Sequence, residues 1–307
     1  MKFSTLGLSG MAIAGSLAWI APVQADFVDD PINTRFLAHY DGNTGSAGRD
    51  ADYVPGGNPV PTVLRGQTET AQAKFGPQSL NAVFANNPGQ RLRYDSAGVF
   101  NDATNTNFAL TAGTVEMWIY RYTGQNVFNS LGFFGTWQSV SNIRLQVGGS
   151  GHLEAQMTAG GNGFVLSSST AVPDGIGELI PQGEWSHLAW TWDFAADSGN
   201  GTSSLWVNGV NVDSTPTFIG THDQISDYNT VADPTFQVGS IQNGSFPLPA
   251  DSGIGAAMYV DEFRVSNVAR YTENFTPQST PFSVPEPSTA LGLGAMALVG
   301  MMRRRSM

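Results

Sequence analysis

The pair Asn208-Gly209, set between Leu205-Trp206-Val207 and Val210-Asn211-Val212, constrains the fold more than any other feature of the chain. Both residues tolerate positive φ, which a two-residue hairpin loop requires, so the flanking apolar runs read as two antiparallel strands. The same kind of reading extends along the chain. Phe36-Leu37-Ala38-His39-Tyr40 forms a first strand ending at Asp41-Gly42, and a Gly/Asn/Pro-rich stretch to Pro61 reads as a long surface loop. Residues 79–84 and 90–94 read as strands, and 142–147 with 152–157 as a hairpin around Gly148-Gly149-Ser150-Gly151. Residues 113–120 carry apolar groups on both faces, as does a strand covered on both sides or one that lines a concave face with aromatics. Residues 184–193, 236–239 and 258–265 complete the pattern. No long stretch between the termini has helical periodicity. One antiparallel sheet of this length would expose an apolar face, and two packed face to face bury it. The expected fold is all-β, a two-sheet antiparallel sandwich of jelly-roll type.

Both termini read as addresses rather than fold. Lys2, the apolar stretch Leu6 to Ile20 and the small-x-small site Val23-Gln24-Ala25 form a secretory signal peptide over 1–25, with the mature chain starting at Asp26. At the other end Pro285-Glu286-Pro287 precedes an uncharged run to Met302 and then Arg303-Arg304-Arg305. Pro285 and Pro287 keep their segment extended. The apolar run is shorter than the roughly 20 residues of a full span, and its arginines favour the cytoplasmic side. An ordinary C-terminal membrane anchor is the alternative. This layout over 284–305 resembles the PEP-CTERM sorting signal of Gram-negative bacteria. The resemblance implies export across the inner membrane, trimming by signal peptidase and by a membrane-embedded exosortase, and a short C-terminal helix held transiently in the inner membrane. It also implies a final place at the cell surface, outer envelope or extracellular matrix.

Of 25 acidic and 14 basic residues, removing Lys2, Glu286 and the three tail arginines leaves a body of net charge about −14. Such a surface repels phosphate backbones, which argues against nucleic acid as a partner, and suits divalent cations. There are no cysteines, so thiol catalysis and thiolate metal sites are excluded.

Several of the strands together resemble laminin G-like domains of the concanavalin A-like lectin/glucanase superfamily, over about 36–282 within a body of 26–282. The residues that carry the likeness are Leu37-Ala38-His39-Tyr40-Asp41-Gly42, Thr114 to Ile119, Glu184 to Asp193, Leu205 to Gly209, and Tyr259 to Val265 followed by Ala269-Arg270-Tyr271-Thr272 and Asn274-Phe275-Thr276-Pro277. The resemblance implies one structural calcium ion near the first and last strands, with Asp261 and Asp41 at matching positions. Period-two alternation places Asp261 on one strand face with Tyr259, Phe263 and Val265. A carboxylate there must be paired, either by calcium or by backbone N–H groups or an arginine such as Arg264 or Arg270.

Trp118, Trp137, Trp185, Trp190, Trp192 and Trp206 are open to a sugar-stacking role and to an ordinary core role. Trp190 and Trp192 share a face with Leu188, which favours core. Trp137 falls in an expected loop and is the better ligand-contact candidate. His187, beside Trp185 and Ala189, reads as a hydrogen-bonded core residue. His39, His152 and His222 form no H-E-x-x-H pattern, which argues against zinc. The resemblance implies that an enzyme of this superfamily's glucanase kind would carry its two carboxylates on one strand as E-x-D-x-x-E, a pattern that Glu116, Glu154 and Glu184 do not match. The expected function is therefore a non-catalytic lectin-like module that engages carbohydrate or exopolysaccharide through the concave face or the loop rim. An adhesive or structural protein-binding module, or a divergent polysaccharide-cleaving enzyme, are the alternatives.

Overall fold

The computed structural model describes residues 33–41, 52, 62–64, 67–82, 91–95, 111–121, 141–147, 153–159, 162–167, 180–215, 235–238, 240–241, 254–255 and 258–283. In chain order these form β1 (Thr34–Ala38), β2 (Thr62–Leu64), β3 (Gln67–Glu69), β4 (Ser79–Asn81), β5 (Arg91–Asp95), β6 (Ala112–Arg121), β7 (Ser141–Val147), β8 (Leu153–Ala159) and β9 (Asn162–Ser167). There follow β10 (Trp185–Asp193), the four-residue turn α1 (Ala196–Gly199), β11 (Thr202–Val207), β12 (Val210–Thr215), β13 (Thr235–Val238), β14 (Ser240–Ile241), β15 (Ile254–Gly255) and β16 (Met258–Ser266). The fold is the antiparallel jelly-roll sandwich expected, with almost no helix among the described residues.

The larger layer runs β12-β11-β10-β6-β16-β4-β3, with β1 also on β16. Strands β13-β5-β2 and β7-β8-β9 form smaller sheets, and β14 pairs β15. One core joins the layers. Val115, Met117 and Ile119 of β6, Leu188, Trp190 and Trp192 of β10, and Leu205 and Val207 of β11 meet Leu92, Tyr94, Leu145, Ala155, Phe236 and Val238. Phe36 sits at its centre, edge-on to Tyr94 at 4.8 Å, Phe236 at 5.2 Å and Phe263 at 5.5 Å. Such aromatic pairs add roughly 0.5–1.5 kcal/mol beyond the area they bury.

The Asn208-Gly209 hairpin forms as expected, with φ of 50° and 77°. Gly209 has a second reason to be glycine: a Cβ there would strike the carbonyl of Phe275. β2, β3, β9, β14 and β15 escape the sequence reading, because runs of two to six residues without clear alternation carry little signal.

The closing strand departs from simple alternation. Its pairing with β6 shifts register between Asp261 and Arg264, and Glu262 has φ of 52°. This bulge inserts one residue and reverses the side-chain faces beyond it. Phe263 and Val265 therefore join the core with Val260, while Asp261 stays beside Tyr259 opposite Trp118. The expectation that Asp261 shares a face with Phe263 and Val265 is corrected accordingly. The bulge also marks a seam. β4 pairs with Tyr259 and Val260, whereas β1 takes the same edge of β16 from Phe263 to Ser266.

Candidate functional site

The face of the large sheet turned away from the core is a grid of aligned residues. Trp185, Tyr120 and Tyr259 lie in register across β10, β6 and β16. The next row holds His187, Trp118 and Asp261, and the next Trp206, Ala189, Glu116 and Arg264. Residues 267–283 cross this face as a strap. Arg270 N donates to Thr114 Oγ1 at 2.9 Å, and Thr114 Oγ1 donates to Val268 O at 2.7 Å. Phe275 N donates to Gly209 O at 2.9 Å. Phe275 and Tyr271 stack at 3.6 Å and cover Ala189 and Trp206.

Under the strap lies a buried ionic network. Glu116 Oε1 accepts from Arg264 Nε at 2.8 Å and lies 2.7 Å from Arg264 Nη2, with Arg270 Nε 3.8 Å away. Its Oε2 accepts from Tyr271 OH at 2.6 Å and lies 3.3 Å from His187 Nε2. Burial alone pushes the Glu116 carboxyl up, but Arg264, His187 and Arg270 outweigh it and hold it well below the usual range. Burial and the Glu116 charge push the Tyr271 hydroxyl up. This network was not read from the sequence. The signal was a glutamate inside a strand apolar on both faces, which demands a buried partner. Its arginines are the two considered for Asp261.

Asp261 instead accepts backbone N–H groups: Lys74 at 2.8 Å and Phe75 at 3.2 Å on Oδ2, and Glu262 at 2.9 Å on Oδ1. Burial, helped by the charges of Glu262 and Asp41 and opposed by the Lys74 and Phe75 N–H groups, pushes its carboxyl up to about 8. Asp41 follows β1 on the neighbouring edge, so the seam does bring the two aspartates into electrostatic reach. His39 Nδ1 lies 2.7 Å from Glu262 Oε1, and the His39 backbone N–H donates to Asp52 Oδ2 at 2.6 Å. Burial pulls the His39 imidazole down, but Glu262, Asp52 and Asp41 outweigh it and leave it raised. Tyr40 and Glu262 both sit in the left-handed region, at φ of 61° and 52°, a strain of about 1–3 kcal/mol each.

The acceptors at this seam bear on calcium. Asp41 Oδ1 and Gln78 Oε1 are buried with no hydrogen-bond partner among the described residues. Gln78 N–H reaches the Asp41 carboxylate, and a Cβ at Gly76, itself at φ of 61°, would strike that carboxylate. Acceptors without donors, beside a carboxyl raised by burial and, to a smaller degree, by like charge, fit a divalent cation. Among the described residues no three His, Asp or Glu side chains group closely enough to hold a metal by themselves, so backbone and amide oxygens would have to complete the set.

At one end of the grid the strap does not reach the face among the described residues. Trp185 and Tyr120 are half-buried, their rings 5.6 Å apart and tilted by 57°. Tyr259 is buried beside them, edge-on to Tyr120 at 6.0 Å. Trp118, in the next row, is capped by Lys74 Nζ at 3.9 Å and by Phe75. Trp190, Trp192 and Trp206 are core residues, and His187 is hydrogen-bonded in the interior as expected. Trp137, Ala25, Pro285, Glu286, Pro287, Arg303, Arg304 and Arg305 lie outside the described residues. Among the described residues no helix is long and apolar enough to cross a membrane.

With this geometry in view, two family models match. One is the concanavalin A-like lectin/glucanases superfamily, in its laminin G form, over residues 95–274. The other is the PEP-CTERM protein-sorting motif over residues 283–306. The chain belongs to the concanavalin A-like lectin/glucanases superfamily. Its sorting motif marks it for export and for processing by exosortase. No curated protein matches the sequence. Similar solved structures include domain 4 of AbnA, an extracellular arabinanase from Geobacillus stearothermophilus, in complex with arabinotriose. It is 17% identical, with 77% of this chain and 94% of that one covered, at a TM-score of 0.45. The binding domain of botulinum neurotoxin serotype D is 12% identical, covering 77% and 49%, at a TM-score of 0.49. The sialidase CBM40 of Ruminococcus gnavus bound to α2,3-sialyllactose is 17% identical, covering 60% and 90%, at a TM-score of 0.39.

Proposed function

We propose that the chain is an exported, non-catalytic carbohydrate-binding protein of the cell surface or extracellular matrix, and that polysaccharide rests on the open Trp185–Tyr120 end of the large sheet. The observation that carries this reading is the half-buried, tilted aromatic pair, which neither the strap nor the Lys74-Phe75 loop covers among the described residues. An indole or phenol ring covers the apolar face of a pyranose, while its polar edge stays wet. Trp137 is proposed as a second contact on the loop rim. Glu116, the carboxylate nearest this surface in the β6 sequence, is occupied by two arginines, a tyrosine and a histidine. That leaves it neither free to act as a base nor held protonated as an acid.

The same reading includes one structural calcium ion at the β1–β16 seam, held by Asp41 and Asp261 with Gln78 and backbone oxygens. When bound it supplies positive charge at Asp261 in addition to that of Lys74. Asp261 fixes the loop at Lys74-Phe75 through its Oδ2, and that loop caps Trp118 beside the aromatic row.

Retention of the processed protein on neutral and on acidic polysaccharide gels tests the binding reading, with release of reducing ends measured in parallel. Retention without release is expected. Release of reducing ends would restore the enzymatic alternative, and passage through every gel would favour a protein-binding role.

A further inference from the structure

We propose that the end of the strap is a latch that governs when the sorting motif can be cut. The motif begins at residue 283, one position after the last buried side chain of the described tail. Phe282 is buried, while residues 279–281 on one side and Ser283 on the other are exposed. The Arg264 guanidinium lies 3.6 Å from the centre of the Phe282 ring. Phe282 N–H donates to Glu262 Oε2 at 2.6 Å. Glu262 is itself fixed, by His39 on its other oxygen and by the bulge that turns it out of the strand. A single aromatic residue, received by a strained and charged socket, therefore anchors the chain next to the motif.

The consequence for a peptidase is geometric. Proteins that take up an extended segment bind its backbone along several residues. With Phe282 docked, three residue steps separate it from Pro285, which is about 11 Å of chain at full stretch. The folded body would collide with an enzyme seeking residues on the N-terminal side of the cut. The next buried anchor upstream is Phe275, held by Gly209, with Asn274 Oδ1 accepting from Asn211 N. Releasing Phe282 alone frees residues 276–283, roughly 29 Å of chain at full stretch, without opening the ionic network. Docked, the motif is withheld; undocked, it reaches the membrane-embedded enzyme. After cutting, the shortened tail redocks and the product keeps its strap. The inference rests on the sorting motif and the described tail, and stands apart from the polysaccharide reading.

Pulse–chase measurement of trimming, with the full chain expressed in cells carrying its processing peptidase, tests the latch. An insertion of eight Gly/Ser residues between Ser283 and Val284 leaves body and anchor unchanged, and it should accelerate trimming several-fold. Phe282→Ala should accelerate it similarly, and Phe282→Tyr should stay close to the parent rate. Chymotrypsin applied to the detergent-solubilised full chain reads the anchor directly. The Phe282–Ser283 bond should resist in the parent and be cut at least several-fold faster in Glu262→Gln. Trimming of the insertion variant at the parent rate or slower would overturn the proposal, as would rapid chymotrypsin cutting after Phe282 in the parent.

Discussion

Replacing Glu116 by glutamine perturbs the most heavily connected side chain on the outer face. The carboxylate is fully buried and faces Arg264 at 2.7 and 2.8 Å, Arg270 at 3.8 Å, Tyr271 at 2.6 Å and His187 at 3.3 Å. Glutamine keeps the shape but removes the charge, and one end becomes a donor facing other donors. Arg264 and Arg270, each nearly fully buried, then both lose the carboxylate charge they face here. Breaking a buried pair in this way costs about 3–5 kcal/mol. For a body of this size each kcal/mol moves Tm by roughly 2–4 °C, so the expected fall is about 6–20 °C. Urea unfolding of the processed protein should show a lower midpoint at unchanged slope. The double variant Glu116→Met with Arg264→Met should recover part of the loss, since apolar replacements of buried pairs are often tolerated. A loss below about 1 kcal/mol for Glu116→Gln would refute the claim that this network fastens the strap.

Three further outcomes follow from the seam and the hairpin. The raised carboxyl of Asp261 and the raised imidazole of His39 each favour the folded state while protonated. Their contribution is fully present below the unfolded values and lost as pH rises through the folded ones, so in calcium-free buffer Tm should fall between about pH 5 and 9. A flat or rising profile would contradict the assignment. Calcium should raise Tm with saturation, more at pH 8 than at pH 5 because Asp261 must ionise, and Asp261→Ala should abolish the rise; identical melts in chelator and in excess calcium would remove the metal. Gly209→Ala should destabilise by more than about 1 kcal/mol in chemical unfolding, because its φ of 77° and the Phe275 carbonyl leave no room for a Cβ.

The sheet was legible where its signal is local. Asn208-Gly209 fixed one hairpin, and the double-sided apolar pattern of residues 113–120 marked a strand, with cover on both sides or a concave aromatic face as the two readings, of which the structure shows burial on both faces over 113–119. What covers the second face was not legible. The strap residues that pack there show no periodicity, and Glu116 meets Arg264 and Tyr271 from 148 and 155 positions away. The bulge at Glu262 was hidden for a different reason. Val260-Asp261-Glu262-Phe263-Arg264-Val265 can be threaded in either register by alternation alone, and the register that buries Phe263 is seen only in the pairing with β6 and β1. The arginines weighed as partners for Asp261 went to Glu116 because the bulge turns Arg264 onto the grid row of Glu116. Asp41 and Asp261 were nevertheless brought to one seam, as pairing of first and last strands requires.

Affinity electrophoresis of the processed protein through polysaccharide-loaded gels tests the central claim most directly, comparing the parent with Trp185→Ala. Truncating an aromatic anchor typically weakens binding by more than about 1 kcal/mol, so the variant should be retarded at least several-fold less while its Tm stays near that of the parent. Equal retardation of the two proteins, with both folded, would show that polysaccharide does not rest on the Trp185–Tyr120 end of the sheet.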